Sequence, residues 1–155
     1  MSTFKLSSEA VSFLEKNKGK KIVFTNGCFD ILHPGHVAYL NEAKAQGDLL
    51  VVGLNSDASV RRLKGPDRPV NNEHDRKFMM ENLKAVDLVE IFDEETPYEL
   101  ISALRPNVLV KGGDWKIEQI VGHDVVSSYG GEVKSLLFKD GYSTSNLIKN
   151  LQGRS

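Results

Sequence analysis

The chain has 155 residues, 40% of them hydrophobic and 26% charged, with 20 basic and 21 acidic side chains and a net charge of −1. Those figures suit a single globular domain, residues 1–20 leading by a helix into a core from 21 to 150, and they exclude the basic excess of a nucleic-acid binder. No apolar run approaches the roughly 20 residues of a membrane span, the N-terminus lacks the apolar stretch of a secretion signal, and the single cysteine, Cys28, cannot form an internal disulfide, so the expected compartment is the cytoplasm.

Residues 8–17 have the spacing of an amphipathic helix, with Val11, Phe13 and Leu14 apolar. Residues 21–25 form a short β-rich run that reads as a buried strand. Helical spacing returns over 34–46, where Val37, Leu40 and Ala43 share a face and Gly47 is the expected C-terminal cap. The apolar run 49–54 is the second strand. A polar, basic loop is expected over 59–71, with Asp57 as a cap, and then a helix over 72–84. Strand three covers 88–92. Thr96-Pro97-Tyr98-Glu99 predicts a helix start in which Thr96 caps, Pro97 takes the first helical position and Glu99 completes a capping box. Strand four covers 108–110, a helix interrupted near Gly122 covers 117–129, strand five covers 132–137, and a last helix starts near Ser143. Short apolar strands alternating with helices predict an α/β fold: a Rossmann-like doubly wound sheet of about five parallel strands with helices on both faces. Ligands in such sheets sit at the carboxyl ends of the strands.

The segment after strand one is therefore the first place to look. It reads Thr25-Asn26-Gly27-Cys28-Phe29-Asp30-Ile31-Leu32-His33-Pro34-Gly35-His36. Gly27 allows close backbone approach to a ligand. Pro34 and Gly35 fall in the first turn of a helix, whose free N–H groups make an anion site. His33 and His36 are three residues apart and can face one anion together.

The run GCFDILHPGH resembles the His-x-Gly-His signature of the cytidylyltransferase-like nucleotidyltransferases, and Tyr142-Ser143-Thr144-Ser145-Asn146-Leu147-Ile148 resembles their second signature. Within that superfamily the chain is similar to the adenylyltransferases that form ADP-heptose from heptose 1-phosphate. The segments Arg62–Val70, Val110–Trp115 and Asp140–Thr144 carry that narrower likeness. Trp115 stands where many relatives have Tyr. Many relatives also carry a sugar kinase domain in front, so the resemblance implies a stand-alone form here, and a homodimer.

The resemblance implies that His33 and His36 contact the transferred phosphate. Thr25, Asn26, Gly27, Cys28, Phe29 and Gly35 would line the nucleotide, and Ser143, Thr144 and Ser145 would hold its β- and γ-phosphates. Lys111, Gly113 and Asp114 would meet the nucleoside. Asp30 and Trp115 would face the acceptor sugar, and Lys64 and Arg76 would supply catalytic cations, with Arg61, Arg62 and Arg68 as competitors of Lys64. The acceptor phosphate is already an anion, so catalysis needs positioning and charge stabilisation, with no general base. Magnesium is expected with ATP, bridging phosphate oxygens with few protein ligands. Three other readings fit the same residues: a cytidylyltransferase acting on glycerol phosphate, a nucleotide-binding regulatory module without turnover, and a thiol enzyme centred on Cys28.

Overall fold

The computed structural model describes residues 4–138 and 143–153. Five strands form one parallel sheet: β1 (Ile22–Gly27), β2 (Leu49–Asn55), β3 (Leu88–Phe92), β4 (Val108–Gly112) and β5 (Glu132–Leu136), in the order β3-β2-β1-β4-β5. The chain reverses its direction of travel across the sheet between β1 and β4. That switch point opens a crevice at their carboxyl ends, where ligands of such sheets bind.

Alternation along the strands divides the core in two. Val23, Leu50, Val52, Val108 and Val110 face one side with Tyr39, Leu40 and Ala43 of α2 (Pro34–Lys44) and Met80 of α4 (Glu73–Glu81). Ile22, Phe24, Val51, Leu88 and Leu109 face the other, with Ala10 of α1 (Ser8–Lys16), Leu100, Ile101 and Leu104 of α5 (Tyr98–Leu104) and Val126 of α6 (His123–Ser128). The doubly wound sheet expected from the sequence is the one observed.

Local differences have local causes. Residues 57–64, expected as cap and loop, form the helix α3 (Asp57–Lys64). Ser56 is its N-cap, accepting from the Ser59 N–H, and Asp57 is already helical. Only Ser59 and Val60 of α3 are buried, so its polar surface hid its periodicity. Lys64 accordingly ends a helix instead of riding a loop. Helix α2 is capped by Ala45, not Gly47. Gly47 instead crosses β1 so closely that a Cβ would come within 2.7 Å of Val23 and 2.8 Å of the Lys21 carbonyl. Pro97 takes the cap position of α5, so the helix starts one residue later than expected, while Thr96 Oγ1 lies 3.4 Å from the Tyr98 nitrogen.

The interruption near Gly122 is present: a 3₁₀ turn (Ile117–Gln119) precedes α6, and Gly122 between them has φ +91°. A Cβ there would also meet Ile101 at 2.8 Å. Gly122→Ala is expected to cost about 1–2 kcal/mol, read as a fall in thermal midpoint of about 2–4 °C per kcal/mol.

Candidate nucleotide site

Strand β1 delivers the segment that the sequence singled out. Thr25 and Tyr39 join their hydroxyls at 2.6 Å in the core, so the Thr25 side chain faces α2 and leaves ligand contact to the backbone. Asn26, Gly27 and Cys28 are half-buried at the end of the strand. Phe29 turns the chain with φ +44° and is itself buried. Its ring fills the space over Gly27, where a Cβ would lie 2.9 Å away, and meets His36 edge-on at 5.4 Å.

His33 is the N-cap of α2, Pro34 follows it, Gly35 is buried, and His36 ends the first turn. The two imidazoles stack, with centroids 3.8 Å apart and planes 24° off parallel. His36 Nδ1 accepts from the His33 N–H at 3.3 Å, which puts the proton of the neutral ring on Nε2. Burial holds His36 down at about 4, with the neighbouring His33 as a second cause, and burial also lowers His33. Both rings are therefore neutral N–H donors at pH 7.

A stability consequence follows from that shift. Folded His36 titrates at about 4 against its ordinary 6.5, so the unfolded chain binds more protons between those values. The contribution is complete above pH 6.5 and is lost as pH falls through 4. Discounted for partial exposure, it amounts to about 1–2 kcal/mol. Thermal midpoints should decline as pH falls through this window, and His36→Gln should flatten that part of the curve.

The second signature meets the first. Helix α7 (Thr144–Gln152) is capped by Ser143, whose Oγ accepts from the Asn146 N–H at 3.0 Å. Thr144 Oγ1 donates to the Ile31 carbonyl at 3.0 Å, two residues before His33. The N-termini of α2 and α7 thus converge at the carboxyl end of β1, with Ser145 exposed beside them. Asp140, Gly141 and Tyr142 lie outside the described residues.

Two expected ligand contacts are spent on the protein itself. The Asp30 side chain is fully buried: one carboxylate oxygen accepts from Arg68 Nε at 3.0 Å and the Val70 N–H at 2.7 Å, the other from the Asn71 N–H at 2.9 Å. Asp30, expected to face the acceptor sugar, here anchors the loop after α3. Arg76, expected as a catalytic cation, is 1% exposed. It donates from Nε to the Asn71 carbonyl, from one terminal nitrogen to the carbonyls of Cys28 and Asn55, and from the other to Asp57 Oδ1 at 2.8 Å. A cation near the N-terminus of α4 opposes the helix dipole. What keeps Arg76 there is this hub, which ties the β1 loop, the end of β2 and the start of α4 together.

The remaining cations divide differently. Arg62 pairs with Asp93, Arg61 and Lys64 are exposed, and Arg68 is held by Asp30. Burial pushes the Cys28 thiol up, while the charges of Lys64, Arg76 and Arg68 pull it back, so all three stand near the β1 loop. A raised thiol pKa disfavours the thiolate that the Cys28 reading requires.

At the end of β4, Lys111 is half-buried and sits 5.1 Å over the Trp115 ring, with its pKa lowered by burial. Trp115 is 41% exposed and donates through Nε1 to the Gly112 carbonyl at 2.9 Å. Gly113, at φ +118°, admits that ring where a Cβ would stand 2.6 Å from Nε1. Asp114 is exposed. The sequence reading missed Phe138, whose half-exposed ring covers Gly112 and lies 5.3 Å from Tyr39. Nothing in its local sequence signals that position. Among the described residues no three His, Cys, Asp or Glu groups gather as a metal site. A groove of about 700 Å³ beside Lys18, Lys20 and Arg105 opens at the opposite, amino end of the sheet, away from both histidines.

Known proteins resemble this chain in sequence and in fold. The bifunctional protein HldE of Wolinella succinogenes is 57% identical over 151 residues, which is 96% of this chain and 31% of that protein. HldE of Geobacter metallireducens is 60% identical over 137 residues, 88% of this chain and 28% of that one. The chain therefore spans about a third of the length of these relatives. The crystal structure of a lipopolysaccharide core biosynthesis protein from Thermoplasma volcanium superposes with a TM-score of 0.65 at 31% identity, covering 81% of this chain and all of that one. A family model described as cytidylyltransferase-like matches residues 24–150. With its paired histidines and second helix start inside that span, the chain belongs to the cytidylyltransferase-like family of nucleotidyltransferases.

Proposed function

We propose that the protein is a heptose 1-phosphate adenylyltransferase, converting ATP and D-glycero-β-D-manno-heptose 1-phosphate to ADP-heptose and pyrophosphate, for lipopolysaccharide core synthesis. The observation that carries this reading is the convergence of two helix N-termini, bonded through Thr144 and Ile31, beside a stacked pair of neutral histidines. The likeness to HldE and to a lipopolysaccharide core biosynthesis protein supports the substrate class.

An oxygen of the sugar phosphate attacks the α-phosphorus, the bond to the bridging oxygen breaks in line, and pyrophosphate leaves with the electron pair. His33 and His36 donate N–H bonds to phosphate oxygens as charge builds, and the N–H groups of Ser143, Thr144 and Ser145 hold the outer phosphates. Lys64, exposed near the β1 loop, adds positive charge at the mouth. Gly113, Asp114 and Lys111 meet the nucleoside, and Trp115 the sugar. Asp30 and Asp57 are engaged by Arg68 and Arg76, so a Mg²⁺ ion would be held chiefly by the triphosphate that carries it. Such an ion would neutralise phosphate charge. No described helix is long and apolar enough to cross a membrane; the reaction is proposed to run in the cytoplasm. The protein is proposed to act as a homodimer, which light scattering would test.

Pyrophosphate release should be measured with heptose 1-phosphate and each nucleoside triphosphate. Turnover with ATP is expected. Turnover with CTP alone would overturn the adenylyl assignment, and ATP binding without release with any sugar phosphate would leave only a binding module.

A further inference from the structure

Cations near the β1 loop differ in how much of their hydrogen-bonding capacity the protein already uses. Arg76 is enclosed and bonded from all three guanidinium nitrogens. Arg62 turns away to Asp93. Arg61 and Lys64 are exposed, and fixing such long side chains on a ligand costs rotamer freedom.

Arg68 is unlike the others. Its side chain is only 16% exposed, and its Nε is fixed by the wholly buried Asp30 carboxylate at 3.0 Å. That carboxylate belongs to the same segment as His33 and His36, so the guanidinium is registered against the histidine pair. The loop bearing Arg68 is tied down on either side: its own N–H donates to the Gly65 carbonyl, and Val70 and Asn71 donate to Asp30. Among the described residues the terminal nitrogens of Arg68 have no hydrogen-bond partner, which leaves that end of a planar fork to donate to two oxygens of one phosphate.

Resting on the adenylyltransferase reading, we propose that Arg68, held by Asp30, binds the phosphate of the acceptor sugar, and that Asp30 is its positioning residue. Asp30 then serves the acceptor through the arginine. This separates Arg68 from Lys64: the fixed fork orients the attacking phosphate, while the exposed lysine supplies charge.

Steady-state kinetics with heptose 1-phosphate and MgATP test this. Arg68→Ala is expected to raise the KM for the sugar phosphate about tenfold or more and to leave the KM for ATP within about twofold. Arg68→Lys, which keeps charge but loses the fork, should recover only part. Asp30→Asn should raise the same KM, and adding it to Arg68→Ala should raise it no further, a non-additivity that general loosening of the loop would not give. The proposal is overturned if Arg68→Ala and Arg68→Lys leave the sugar-phosphate KM unchanged, or raise the KM for ATP as much. If the wild type releases no pyrophosphate from heptose 1-phosphate, the adenylyl reading fails by itself. Arg68 is then judged by calorimetric titration with inorganic phosphate, where about tenfold weaker binding by Arg68→Ala supports the assignment and equal binding overturns it.

Discussion

His36→Ala is expected to lower the rate of pyrophosphate release by about 10²–10³-fold at saturating substrates, with a much smaller change in ATP affinity. The ring is held by the His33 N–H on one nitrogen, by stacking on His33 and by a T-shaped contact with Phe29, so its Nε2–H is aimed before substrate arrives. A donor fixed in advance costs no reorganisation when charge develops on the phosphorus oxygens, which is why its removal acts on turnover more than on binding. Water entering the truncated site would restore a hydrogen bond without the fixed direction. His33→Ala should have a similar effect, and the double variant should fall well short of the product because the stacked rings act as one unit. A kcat within threefold of wild type, with the loss confined to the KM for ATP, would show that the pair only binds nucleotide.

Replacing Arg76 should do its damage to the fold. Arg76→Met removes the partner of Asp57 and strips donors from the carbonyls of Cys28, Asn55 and Asn71, all at a position shut off from water. Breaking a buried pair by deleting one member costs about 3–5 kcal/mol, a large share of the 5–15 kcal/mol typical of a whole domain. The urea midpoint should fall with little change in slope. Arg76→Lys should be intermediate, since one ammonium cannot reach acceptors spread around a planar fork. A loss below about 1 kcal/mol would mean that the hub is dispensable.

Strands β1 to β4 were legible as compact apolar runs, β5 is the more polar Glu-Val-Lys-Ser-Leu, and Gly122 announced the break before α6. The histidine pair and the Ser143–Ser145 segment were legible as helix starts. Helix α3 was not, because only two of its residues face the core. The parts played by Asp30 and Arg76 were hidden for another reason. Their partners lie from 5 to 48 residues away along the chain, and no local spacing marks them as partners. A carboxylate and a guanidinium in a signature region read as ligand contacts until the fold shows them buried. The one local hint was a cation placed against the dipole of α4.

Between residues 61 and 77 the chain has six basic side chains, and four of them are paired: Arg62 with Asp93, Arg68 with Asp30, Arg76 with Asp57 and Lys77 with Glu9. A region that looks strongly cationic in one dimension is close to balanced in three. Its field should therefore fade within a short distance of the mouth, and a triphosphate would be recognised on arrival more than drawn in from afar. The on-rate for ATP should accordingly change little between low and physiological ionic strength, unlike the steep salt dependence of an open basic cleft.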